Sequence, residues 1–210
     1  MNNKKAVAQK LLQINAIKLS PENPFTWASG WKSPIYCDNR RILSFPYERD
    51  FIKSELSNEV FQNFPETTLI AGVATAGIAW GAMIADQLKL PFIYVRPKPK
   101  EHGLGNQIEG FYEKGAKVVV IEDLISTGKS SLQVVDVLKL EGLEILGMVS
   151  IFNYGFDVAK KAFETAGVKV SSLTDYPQLI DLAIENGTIQ EDQQKTLLNW
   201  SANPSGWPNN

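Results

Sequence analysis

A single cysteine, Cys37, excludes an intramolecular disulfide, so the fold must rest on a packed core, and a reducing compartment is the simpler expectation. A solitary cysteine is more often a small buried hydrophobe than a nucleophile. The amino-terminal segment KKAVAQKLLQINAI lacks the uninterrupted apolar stretch of a signal peptide or membrane span. Its apolar residues Ala6, Leu11 and Leu12 recur at helical spacing with charges between them, and a cytoplasmic protein with no membrane partner is expected. A basic excess is also missing: the net charge of -2 argues against a general nucleic-acid binder. Internal repeats and linkers are absent as well, so one domain spanning residues 1–210 is expected. Within it, a small hood covers about 1–45, a core about 46–175, and carboxy-terminal helices with a tail about 176–210.

With 44% hydrophobic and 21% charged residues, the chain has the composition of a protein that buries a core. The first helix is followed by FTWASGWKSPIYCDNRRILSFP, aromatic and turn-rich, with short strand-like pieces around Phe25 and at residues 35–37. Apolar spacing predicts a helix over 47–63. Alternating units come next: strands at 67–74, 92–95, 117–123, 144–154 and 168–173, with helices at 78–90, 127–142 and 157–167 between them. Two more helices are expected around 175–185 and 190–200, and the last ten residues read as a frayed tail. Such alternation predicts an α/β fold, a parallel sheet flanked by helices, with ligands beyond the carboxyl ends of its strands.

The stretch VVVIEDLISTGKSS lies at such an end. Its apolar run reads as a strand buried on both faces, and Glu122 and Asp123 stand where it emerges. The turn Ser126-Thr127-Gly128 then leads directly into a helix. Backbone N–H groups at a helix start favour an anion, Gly128 allows close backbone approach, and Thr127, Ser130 and Ser131 offer hydroxyls. Two acids beside a phosphate make sense if the ligand carries a ribose, whose hydroxyls donate to carboxylates. Negative charge there also favours the cationic anomeric carbon of glycosyl transfer. A Walker loop is excluded, since it needs glycine where Asp123 stands. The plainer alternative is that the hydroxyls cap the helix and the acids are solvated.

A second loop, YVRPKPKEHGLGNQIEG, carries Arg96, Lys98, Lys100 and His102, the chain's only histidine. Pro97 and Pro99 keep it extended, and Gly103 and Gly105 supply the freedom a lid requires. A basic arm of this kind suits a diphosphate leaving group, although an ordinary charged surface loop has the same composition. A third loop, GVATAGIAW, is rich in small residues at a strand-to-helix turn.

The stretch containing Glu122 and Asp123 resembles the phosphoribosyl diphosphate signature of the type I phosphoribosyltransferases. The lid, in the form R-x-x-x-K-x-H-G, resembles the catalytic loop of the orotate phosphoribosyltransferases, and the SG-x-K-SP-x-Y core of the hood resembles their amino-terminal segment. Glu122 stands where aspartate is commoner, Pro97 where many members have a second basic residue, and Ala28 where a lysine is frequent, with Lys32 nearby. The resemblance implies transfer of the phosphoribosyl group to orotate, giving orotidine 5′-phosphate and diphosphate in pyrimidine (UMP) synthesis. It implies that Lys100, His102 and Asp123 are catalytic, and that Arg96 and Lys98 join Lys100 and His102 on the diphosphate. Glu122 and Asp123 would hold the ribose, while Leu124, Ile125, Ser126, Thr127, Gly128, Lys129 and Ser130 form the phosphate-binding stretch. Ala74 and Thr75 would add main-chain contacts to diphosphate, and Ser126 and Tyr36 would meet orotate. Mg²⁺ is the implied cofactor, carried mainly by substrate oxygens, with no all-protein metal site. A homodimer is also implied, with the 96–106 loop reaching the neighbouring site. The other readings are transfer to a different base, such as a purine, and a non-enzymatic regulator that senses phosphoribosyl diphosphate.

Overall fold

The computed structural model describes residues 3–27, 29–99 and 106–207. In chain order the elements are α1 (Asn3–Gln13), β1 (Ile17–Leu19), β2 (Phe25–Thr26), β3 (Lys32–Ser33) and β4 (Ile35–Cys37). A 3-10 helix (Asn39–Ser44) follows, started by the Asp38 side chain accepting from the Arg40 N–H at 3.3 Å. Then come α2 (Pro46–Asn63), β5 (Leu69–Val73), α3 (Ala76–Leu88), β6 (Phe92–Val95), β7 (Ile108–Glu109) and β8 (Lys117–Ile125). The chain continues through α4 (Lys129–Leu140), β9 (Glu144–Asn153), α5 (Asp157–Ala166), β10 (Val170–Asp175), α6 (Tyr176–Glu185) and α7 (Glu191–Ala202).

These elements gather into two compact units, one made of both ends of the chain (Met1–Glu48 and Thr174–Asn210) and the other of Arg49–Leu173. The hood and the carboxy-terminal helices therefore share a unit. Within it, β1 pairs antiparallel with β4, placing Lys18 opposite Tyr36, and β2 with β3 forms a short hairpin. Lys4 and Lys5 of α1 form ion pairs with Asp175 (2.8 Å) and Glu185 (2.7 Å), which flank α6. Asp175 also caps α6 by accepting from the Gln178 N–H at 3.1 Å, and proline follows in the first turn, where its missing N–H costs nothing. Of the segment expected to fray, the described residues 201–207 are more structured: Ser201 and Ala202 complete α7, and the Gly206 N–H donates to Asn203 O.

The other unit is organised by a six-stranded sheet, in the order β10-β9-β8-β5-β6-β7 among the described residues. The pairs β5–β6, β5–β8 and β8–β9 are parallel. β5 is buried along its whole length, as expected of a central strand covered on both faces. On one face Leu69, Ala71 and Val73 join Val118 and Val120 of β8, Val134, Val135 and Leu138 of α4 and Phe163 of α5 in one apolar cluster. Each such fully buried valine or leucine contributes roughly 2 kcal/mol.

Two features of this sheet differ from the sequence expectation. β7, two residues long, pairs antiparallel with β6 at the sheet edge. A strand so short leaves no periodic signature. β8 also runs two residues past Asp123, since Leu124 and Ile125 remain paired with Phe152 and Asn153 of β9.

α3 comes unusually close to the sheet. A Cβ on Gly77 would overlap the Ile121 carbonyl oxygen of β8, and one on Gly72 would lie 2.6 Å from the Gly77 oxygen. Both positions require glycine for backbone-to-backbone approach. Gly77→Ala is expected to destabilise the protein by about 2 kcal/mol or more, because backbone cannot yield as a flexible side chain can. A denaturation midpoint unchanged from wild type would refute this packing.

Candidate active site

The carboxyl ends of adjacent strands β5 and β8 bring two turns together, with Gly72 in register with Ile121. From β5 the chain passes through Ala74 and Thr75, joined by a cis peptide bond, into α3. Ala74 is half-buried, Thr75 is exposed, and the Ala74 N–H donates to Val95 O at 3.0 Å, tying this turn to β6. From β8 the chain passes through Ser126 and Thr127, both half-buried, into α4.

Gly128 is the N-cap of α4 with φ 76, in the left-handed region that favours glycine, and it supplies no side-chain cap. A Cβ there would come within 2.7 Å of the Phe163 ring. The first N–H groups of α4 have no carbonyl of their own helix to bond, and without a capping side chain this end is open to an anion's oxygens. Lys129 and Ser130 are exposed. The turn is braced from behind, where Tyr154 donates its N–H to Ile125 O at 3.0 Å. The Tyr154 ring stacks on Phe156 at 5.3 Å, and both are buried. The motif gave no warning of this support, which lies almost thirty residues further along and carries only aromatic, core-like signals.

The two acids are unequal. Because β8 continues through Ile125, successive side chains point to opposite faces. Glu122 turns inward and is 6% exposed, whereas Asp123 is half-exposed. The Glu122 carboxyl accepts from the Asp123 N–H (Oε1, 3.0 Å) and from the Ser131 hydroxyl (Oε2, 3.0 Å). Ser131, expected to offer its hydroxyl to the phosphate turn, is buried and committed to Glu122. Burial, followed by the neighbouring charge of Asp123, holds the Glu122 carboxyl well above the usual carboxylate range.

Of the basic loop, Arg96 and Lys98 are described, while Lys100 and His102 lie outside the described residues. Arg96 closes the hairpin: its N–H donates to Gln107 O at 2.9 Å and its O accepts from Gln107 Nε2 at 2.7 Å. Its guanidinium lies 3.7 Å from Glu109, a partner that sequence reading missed because β7 was not foreseen. Lys98 is exposed. In the hood, Tyr36 is 40% exposed, its ring 5.7 Å from that of Phe25. Lys32 donates to Thr26 Oγ1 at 2.8 Å across the β2–β3 hairpin.

Among the described residues, no cluster of three or more His, Cys, Asp or Glu could hold a metal ion. The donors at the strand end are a half-exposed carboxylate and a buried one disposed toward its neutral form. That set fits a hard cation that keeps substrate oxygens and water as most of its ligands.

A mostly parallel sheet that delivers an acid pair into a glycine-turned helix start, beside a small-residue turn from the next strand, is the architecture of a type I phosphoribosyltransferase. The family model for the phosphoribosyl transferase domain matches residues 50–176. Full-length comparison narrows the family. The chain is 54% identical over 207 residues to the orotate phosphoribosyltransferase of Cytophaga hutchinsonii, covering 99% of each chain. It is 54% identical over 203 residues to that of Phocaeicola vulgatus, covering 97% of this chain and 96% of the relative. Among solved structures, the orotate phosphoribosyltransferase of Aeropyrum pernix superposes with a TM-score of 0.76 at 29% identity, over 88% of this chain and 99% of that one. The chain belongs to the orotate phosphoribosyltransferases.

Burial of Glu122 has a consequence for stability. Its folded pKa lies above that of the unfolded chain, so the unfolded state ionises first as pH rises. Stability is therefore unaffected by this group below the carboxylate range and is lost as pH climbs through the folded value. Glu122→Gln is expected to raise the melting temperature relative to wild type, and by more at about pH 8 than at about pH 5. A difference independent of pH would show that Glu122 is ionised in the native state.

Proposed function

We propose that this protein transfers the phosphoribosyl group of phosphoribosyl diphosphate to orotate, forming orotidine 5′-phosphate and diphosphate for pyrimidine nucleotide synthesis. The observation that carries the reading is the end of β8, where a half-exposed Asp123 precedes a helix start that Gly128 leaves without a side-chain cap. The 5′-phosphate occupies the turn at 125–129, receiving N–H groups from the start of α4 and hydroxyls from Thr127 and Ser130. Asp123 accepts from the ribose hydroxyls, and Glu122, bonded to Ser131, fixes the strand end against α4. The main chain at Ala74 and Thr75 meets the diphosphate.

In the reaction, N1 of orotate forms a bond to C1′ and gives up its proton to the departing diphosphate, as the bond from C1′ to the diphosphate oxygen breaks. Positive charge builds at C1′ and negative charge on the leaving group. The Asp123 carboxylate stabilises the first, and Arg96, Lys98, Lys100 and His102 stabilise the second and exclude water. Asp123 is the carboxylate that would stand beside a substrate-borne Mg²⁺, which when bound would supply positive charge against the diphosphate. Positioning and charge carry catalysis, without a covalent intermediate on the protein. Ser126 and the ring of Tyr36 contact the base, the latter by stacking. The 96–106 loop serves the site of a second copy in a homodimer, and the enzyme works in the cytoplasm.

Ultraviolet absorbance of orotate, with phosphoribosyl diphosphate and Mg²⁺, tests this reading. Consumption should need both additions and fall about 100-fold in Lys100→Ala, about 2.7 kcal/mol of barrier. Undiminished turnover in that variant would remove the lid from the mechanism. Turnover of adenine or hypoxanthine in place of orotate would overturn the choice of base.

A further inference from the structure

The hood and the last helix of the chain meet through tryptophan. Trp200, in the final turn of α7, is fully buried, and its indole N–H donates to Lys32 O of β3 at 3.2 Å. Trp27 donates its own indole N–H to Ile35 O of β4 at 3.1 Å. The two indoles pack edge to face, with ring centres 5.7 Å apart and planes at 81°. Two aromatic N–H groups thus hold the carbonyls on either side of the Ser33-Pro34 turn, from which the chain passes directly to Tyr36. Ser33, buried inside that turn, donates its hydroxyl to the same Ile35 O at 2.8 Å.

α7 is itself anchored. Tyr176, at the start of α6, donates to Leu197 O at 3.1 Å, and its ring centre lies 5.3 Å from that of Trp200. A capping box between Gln190 and Gln193 starts the helix, and Gln193 Nε2 reaches Glu22 Oε1 at 3.1 Å. The hood strands are only two or three residues long and cannot hold their shape through ladder bonds alone. Buried donors from α7 and from Trp27 supply the missing constraint. A carbonyl whose partner is removed inside such a cluster costs more than an ordinary exposed bond.

We infer that Trp200 is a positioning residue for the base: the carboxy-terminal helix sets the 32–36 segment, and through it Tyr36, in the place from which it stacks on orotate. Trp200 touches no substrate and acts on one substrate of the two. The inference rests on the assignment of Tyr36 to orotate in the proposed function.

Trp200→Phe keeps an aromatic ring and removes the N–H. The orotate KM is expected to rise about tenfold, the scale of one lost buried hydrogen bond, while the KM for phosphoribosyl diphosphate and kcat stay close to wild type. Trp27→Phe, which removes one of the two side-chain donors to Ile35 O, should shift the orotate KM in the same direction and serves if Trp200→Phe does not fold. An unchanged orotate KM in a folded variant overturns the inference, and so does an equal rise in both KM values, which a general structural role would give. Hydrogen exchange of amides 31–36 separates this result from the choice of substrate. If wild type does not turn over orotate, the functional reading fails. Faster exchange in Trp200→Phe then preserves the latch on the hood, and unchanged exchange removes that as well.

Discussion

The carbonyl oxygen of Ile121 lies where a side chain of residue 77 would begin, and the site depends on that contact of backbone with backbone. Because Gly72 and Gly77 add nothing between α3 and the sheet, the turn at 74–76 sits beside the end of β8 rather than a side-chain layer away from it. Two main-chain turns, one from each of two adjacent parallel strands, can then address the same ligand. Parallel strands alone bring their carboxyl ends to one edge of a sheet, and the glycines determine how closely the following helix starts converge there.

Charge is distributed on this frame by strand geometry. Adjacent acids on an extended strand face opposite ways, so Glu122 and Asp123 divide between interior and surface. The inward carboxyl is tolerated because two donors satisfy it and because it is held toward the neutral form, which avoids burying a full charge. One acid ties β8 to α4 through Ser131, and the other presents its charge at the strand end. The turn that follows them gains its shape from Gly128 and its backing from Tyr154, whose N–H reaches Ile125 O.

The unit built from the two chain ends is held by a different chemistry. Its strands are short, and its order comes from ion pairs between α1 and the ends of α6, from the Asp175 cap, and from the aromatic cluster of Trp27, Trp200 and Tyr176. Indole and phenol groups suit this task, since each covers a large apolar area and still offers one directed donor.

The sequence by itself determined the alternation of strands and helices, the apolar run of β8, the acid pair, and glycine at 128, because periodicity and turn chemistry are local properties of the chain. From these the sheet and the glycine turn into α4 were legible before any coordinates. The continuation of β8 to Ile125 was decided by its pairing with β9, and the strand pair at 108–109 by its pairing with β6, neither of which leaves a pattern within one segment. The inward turn of Glu122 toward Ser131, the need for glycine at 77 and the hold of Trp200 on Lys32 O were likewise settled only in the tertiary structure. Each is a contact between residues that local propensity treats as independent, and its energy exists only once the intervening chain has folded.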